Sequence, residues 1–106
     1  MAHEVVWSPR AIEDVEAIAI YISADSTAYA AAVVKKILTI TRSLSSFPFA
    51  GHVVPEFDDD SLRERFAYSY RIIYRIQDQT VTIAAVIHGK QLLEHGKQLL
   101  ELEMQP

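Results

Sequence analysis

The sequence has no cysteine, which excludes disulfides and any zinc, haem or iron–sulfur site built on thiolates. Glycine occurs three times and proline four times, too few for a linker-rich or low-complexity chain. The longest helical apolar stretch, Val15 to Ile22, contains Glu16 and is far shorter than the ~20 residues that span a bilayer. There is no basic excess either: the net charge is −4, against the balance of a general nucleic-acid binder. The first residues, Met1-Ala2-His3-Glu4, carry no basic n-region, so no signal peptide and a cytoplasmic location are expected. What remains is 106 residues, half of them apolar, which predicts one folded domain with its own core.

Charge is unevenly distributed along the chain. Glu4, Glu13, Asp14, Glu16 and Asp25 face only Arg10 in the first part, whereas Arg63, Arg65, Arg71 and Arg75 face only Glu64 later. An acidic helical side and an arginine-bearing side follow.

His3 to Trp7 reads as a strand rich in β-formers. Ser8-Pro9 then has the form of a helix start, with a hydroxyl cap and a proline whose missing N–H costs nothing at the first position. Ile12, Val15, Ile18, Ala19 and Ile22 recur at helical spacing, predicting a helix over 9–23. A second stripe through Ala30, Val33, Ile37, Ile40 and Leu44 predicts a helix over 26–46, stopped by Pro48. The short connection makes the two an antiparallel hairpin. Beyond Gly51 the period changes to two, predicting strands over 62–67, 70–77 and 80–88. The strand over 81–88 is apolar on both faces and belongs in the middle of a sheet. The fold class is α+β, in the order β-α-α-β-β-β, with the helical hairpin packed on a small antiparallel sheet.

His88-Gly89-Lys90-Gln91-Leu92-Leu93-Glu94 is repeated without change as His95-Gly96-Lys97-Gln98-Leu99-Leu100-Glu101. A seven-residue period is too short for a solenoid unit. It predicts a C-terminal helical tail over 91–106, added to a domain that residues 1–90 complete.

A two-residue turn at Asp78-Gln79 pairs Gln77 with Thr80, sets Arg71 opposite Val86 and puts His88 on Arg71's face. With Arg63 or Arg65 from the preceding strand, a cationic patch results near the end of the sheet that could receive a target or the carboxylates of a partner. The alternative is that Arg71 and Arg75 pair with the acidic loop for structure alone. Asp58-Asp59-Asp60 reads as a solvated or capping run rather than a metal site. No metal or other cofactor is expected, since the four histidines lack ligand spacing. Ser8 has no nucleophile setting, and Trp7, Tyr70 and Tyr74 read as core rather than as base-stacking platforms.

One ordered set of fragments resembles a known family. Trp7-Ser8-Pro9-Arg10-Ala11 with Asp14 and Tyr21-Ile22 is followed by Phe47-Pro48, Gly51 and Val54-Pro55-Glu56-Phe57. Leu62-Arg63-Glu64, Tyr70-Arg71-Ile72-Ile73-Tyr74-Arg75 and Val86-Ile87-His88-Gly89 complete it. The set resembles the RelE/ParE superfamily of toxins from bacterial type II toxin–antitoxin modules. The wording is similar to the ParE, or plasmid-stabilisation, branch. The resemblance implies a cytoplasmic toxin neutralised by a cognate antitoxin with a DNA-binding segment, of ribbon-helix-helix type, while this chain itself binds neither DNA sequences nor membranes. It further implies DNA gyrase as target for a ParE-like member, with no bond cleavage by the toxin. For a RelE-like member it implies ribosome-dependent cleavage of messenger RNA, for which Arg71, His88 and Lys90 are the catalytic candidates. That cleavage set is incomplete here, because the segment after Gly89 has lysine but neither arginine nor tyrosine. A toxin fold that has lost toxicity and only binds its antitoxin is the third reading. The binding candidates under any of them are Arg71, His88, Arg63, Arg65, Arg75 and Lys90.

Overall fold

Val5, Val6 and Trp7 favour extended backbone, and they form β1 (Glu4–Trp7) in the computed structural model, which describes residues 2–89. The tail expected over 91–106, and Lys90 with it, lies outside the described residues.

Ser8 ends β1 and caps α1 (Pro9–Ser23), its hydroxyl accepting the Ala11 N–H at 3.0 Å with Pro9 in the first turn. Ser26 does the same for α2 (Thr27–Ser43), accepting the Tyr29 N–H at 3.0 Å. The second helix is shorter than the 26–46 expected. Residues 44–46 tighten into turns in which Ser45 and Ser46 donate to the carbonyls of Arg42 and Ser43, so the backbone has already left the helix before Pro48. The strands that follow are β2 (His52–Val53), β3 (Leu62–Ala67), β4 (Tyr70–Gln77) and β5 (Thr80–His88).

The five strands form one sheet in the order β1-β5-β4-β3-β2. The last four are joined in sequence by antiparallel pairing, but β1 lies parallel to β5, with Glu4 opposite Thr80 and Trp7 opposite Ile83. The sheet is therefore mixed rather than wholly antiparallel. β1 reaches its neighbour through the helical hairpin and not through a tight turn, and only a tight turn enforces antiparallel pairing.

The register of β4 against β5 holds as expected from Gln77–Thr80 to Tyr74–Ile83, then shifts at a bulge. Ile73 faces Ala85, leaving Ala84 as the extra residue. Two side chains from the start of α1 brace this irregularity. The Ser8 hydroxyl donates to the Ala84 carbonyl at 3.0 Å, and the Asp14 carboxylate accepts the Val86 N–H at 2.9 Å.

Both faces of the sheet are packed. Ala11, Ile22, Val33, Ile37, Ile40 and Leu44 of the hairpin meet Ile72, Tyr74, Val81, Ile83 and Val86. On the far face Val54, Leu62, Ile73, Ala84, Ala85 and Ile87 form a smaller core, covered in part by Phe57. The central position of β5 follows from this double burial.

Candidate functional site

Alternation along β4 sends Arg71 to the far face, opposite Phe66 on β3 and Ile87 on β5. There it is 5% exposed and meets two carboxylates. Its Nε donates to Glu64 Oε1 at 2.6 Å, and its Nη2 is also paired with Glu64. Nη1 and Nη2 donate to the two oxygens of Glu56, each at 3.0 Å. Burial opposes the charge on Arg71, but the bonds from Glu56 and Glu64 outweigh it and hold the guanidinium above its ordinary range. Glu64 is also buried, so the group is a carboxylate–guanidinium–carboxylate bridge that ties the 54–61 loop to the sheet.

Arg75 lies on the same face, opposite Leu62, with Nη2 3.9 Å from Asp59. Asp59 accepts the Ser61 hydroxyl at 2.7 Å and the Ser61 N–H at 2.9 Å, and these bonds hold its carboxyl below the usual range. The acidic loop therefore serves as a cap and an arginine partner. The described residues include no group of three metal-capable side chains.

Arg63 and Arg65 occupy the other face, opposite Tyr74 and Ile72. Arg63 donates to the carbonyls of Gly51 at 3.1 Å and Asp60 at 2.9 Å, and its guanidinium sits 5.0 Å from the Phe49 ring centroid. Among the described residues no carboxylate lies within ion-pair distance of either arginine. Phe49 is 61% exposed, and Phe47 in the same loop is 67% exposed. Their loop is pinned by Tyr74, whose buried hydroxyl donates to the Pro48 carbonyl at 2.8 Å and accepts the Gly51 N–H at 3.0 Å. Gly51 is required here, since a Cβ would sit 2.6 Å from that hydroxyl and closer still to the Glu64 carbonyl.

His88 corrects the expected placement. The bulge at Ala84 moves it opposite Tyr70, with ring centroids 5.7 Å apart and planes at 79°, and moves Arg71 from Val86 to Ile87. His88 thus lies on the face opposite Arg71, and the single expected patch divides among three places. Arg71 and Arg75 are on the far face, Arg63 and Arg65 at the β2–β3 edge of the helix face, and His88 beside α1. Pairing of Arg71 and Arg75 with loop carboxylates was one of the two alternatives in the sequence, whereas the roles of Glu64, Asp14 and Phe49 were not read from it. Glu64 was accessible: strict alternation from Leu62 puts it on the face that Arg71 shares.

Several solved structures with the same arrangement are toxins or toxin–antitoxin assemblies. A double mutant of the E. coli toxin RelE in the free state superposes with a TM-score of 0.69 at 14% identity, covering 99% of this chain and 100% of that one. A chromosomal ParDE system from P. aeruginosa gives 0.67 at 17% identity, over 82% and 96%. A RelBE toxin–antitoxin complex from Mycobacterium tuberculosis gives 0.60 at 20%, over 83% and 99%. No curated protein matches the chain by sequence. The fold is thus that of the RelE/ParE toxin superfamily. Residues 5–93 match the family described as ParE toxin of type II toxin–antitoxin system, parDE, and the chain belongs to that family.

Proposed function

We propose that this toxin acts as a ParE-like inhibitor of DNA gyrase, working in the cytoplasm by binding rather than by cutting a bond. The observation that carries the proposal is the state of Arg71. A cation that stabilises a cleaving phosphate must present donors to it, and the Arg71 fork is already committed to Glu56 and Glu64. His88 stands on the opposite face, so it and Arg71 do not converge on one phosphodiester. The far face gathers Glu56, Glu64 and Asp59 around Arg71 and Arg75, a balance that repels an RNA backbone.

Arg63 and Arg65, with Phe47 and Phe49, are the surface offered to the target. They combine charge that has no ion pair among the described residues with exposed aromatic area, the composition of an interface anchor. A cognate antitoxin, with a ribbon-helix-helix segment, is proposed as the neutralising partner. The chain offers it an open groove along the hairpin, lined by Ala19, Ile20, Ser23, Ala30, Ala31 and Val34, which suits an amphipathic helix. Residues 1–90 are proposed as the toxin domain and 91–106 as an appended tail.

Expression without antitoxin tests the reading in cells. The expected result is arrested replication with induction of the DNA-damage response while messenger RNA remains intact. Prompt loss of translated messenger RNA without DNA damage would favour the RelE-like reading.

A further inference from the structure

Arg63 and Arg65 are two residues apart on β3, so alternation sets them on one face, about 7 Å apart along the strand. Their bonding differs. Arg63 is committed to the fold, with Nε and Nη1 donating to the carbonyls of Asp60 and Gly51 and its guanidinium over the Phe49 ring. Arg65 has neither a side-chain hydrogen bond nor an ion pair among the described residues. Burial pushes the Tyr74 phenol up, and the Gly51 N–H and the charges of Arg63 and Arg65 oppose that rise. Both arginines therefore act on the point where Tyr74 pins the loop. Gly51 is held at both backbone groups, its N–H by Tyr74 and its carbonyl by Arg63. Phe49 lies between the anchored residues Pro48 and Gly51, so a residue 61% exposed is ordered before any partner arrives.

Resting on the proposed function, which offers this patch to the target, we infer that the segment it receives is an acidic polypeptide. One carboxylate sits on the Arg65 fork, and an apolar side chain packs against Phe49. An unpaired guanidinium is matched by a carboxylate, which accepts both arms of its planar fork. Within the chain the neighbouring carboxylates are engaged elsewhere. Glu64 turns to the far face with Arg71, and Asp59 holds Ser61 and lies near Arg75. The surroundings favour a peptide over a nucleic acid. A phosphate backbone calls for a row of cations, whereas here Arg63 has two donors committed and Asp58-Asp59-Asp60 follows in the adjoining loop. A single carboxylate beside an apolar side chain needs only one open fork and one exposed ring. Arg65 is then the residue that binds, and Arg63 a positioning residue that acts through Phe49.

The test uses short fluorescent peptides that share leucine and phenylalanine positions and carry glutamate, glutamine or lysine at the others, with oligo-dT as the nucleic-acid probe. The purified full chain is expected to bind the glutamate peptide about tenfold tighter than the glutamine peptide, and oligo-dT more weakly than the glutamate peptide. Arg65→Gln is expected to remove that preference and to lower the salt dependence of binding. Phe49→Leu and Arg63→Lys, which keep the charge, are expected to weaken both peptides alike and leave the salt dependence unchanged. Equal binding of the glutamate and glutamine peptides, a preference that survives Arg65→Gln, or tighter binding of oligo-dT overturns the inference. The same preparation is assayed against gyrase supercoiling. Inhibition without Arg65-dependent peptide binding overturns the inference and leaves the gyrase reading standing. Arg65-dependent peptide binding without inhibition supports the inference and removes gyrase as the target.

Discussion

Arg71 stands at the meeting point of a strand, a neighbouring strand and a loop, and its partners decide what its removal does. Arg71→Ala leaves the Glu64 carboxylate buried without its counter-charge, a change that costs about 3–5 kcal/mol. The expected outcome is a large fall in the urea midpoint of unfolding, seen with the isolated protein and no partner present. Unchanged stability, with only a binding defect, would mean that the guanidinium serves a ligand. Tyr74 supplies a second test at this scale. Burial raises its phenol above the ordinary tyrosine range, so the folded state holds it neutral after the unfolded chain has begun to ionise near pH 10. The stability it contributes is complete below that pH and is lost as pH rises toward the folded-state value. Tyr74→Phe removes two buried hydrogen bonds, at a cost of about 1–3 kcal/mol near neutral pH, and flattens the alkaline limb of the stability profile. Denaturant unfolding from pH 8 to pH 11 measures both effects.

Element boundaries were legible because local chemistry writes them. Ser8-Pro9 and Ser26 set helix starts, and alternation from Leu62 onward separates the strands. Two features were hidden for physical reasons. The parallel pairing of β1 with β5 depends on a crossover, which no local pattern encodes. The bulge at Ala84 depends on Ser8 and Asp14, partners distant in sequence that stabilise an irregular strand from outside it. One displaced residue moved His88 across the sheet, and the expected cationic patch went with it. The prediction at this scale concerns that brace. Asp14→Ala leaves the Val86 N–H without its carboxylate, so its hydrogen exchange should accelerate well beyond that of Ile83. Equal acceleration along all of β5 would indicate global destabilisation rather than a local brace.

Across the whole molecule, charge is sorted by face, and the sorting carries the functional reading. The far-face arginines are paired with carboxylates, whereas Arg63 sits over Phe49 and neither it nor Arg65 has an ion pair among the described residues. Arg65→Glu is expected to abolish toxicity while leaving the unfolding midpoint nearly unchanged, since it breaks no ion pair among the described residues. Loss of toxicity accompanied by unfolding would return Arg65 to a structural role. The superfamily, but not the target, could be read from the ordered fragments, because a shared fold does not fix which partner its exposed groups meet. On the proposed function the toxin binds gyrase and cuts no message. The direct measurement is a parallel assay of the purified chain against gyrase supercoiling and against ribosome-bound messenger RNA. Inhibited supercoiling with uncut message is the predicted result; cleaved message with supercoiling untouched would contradict it.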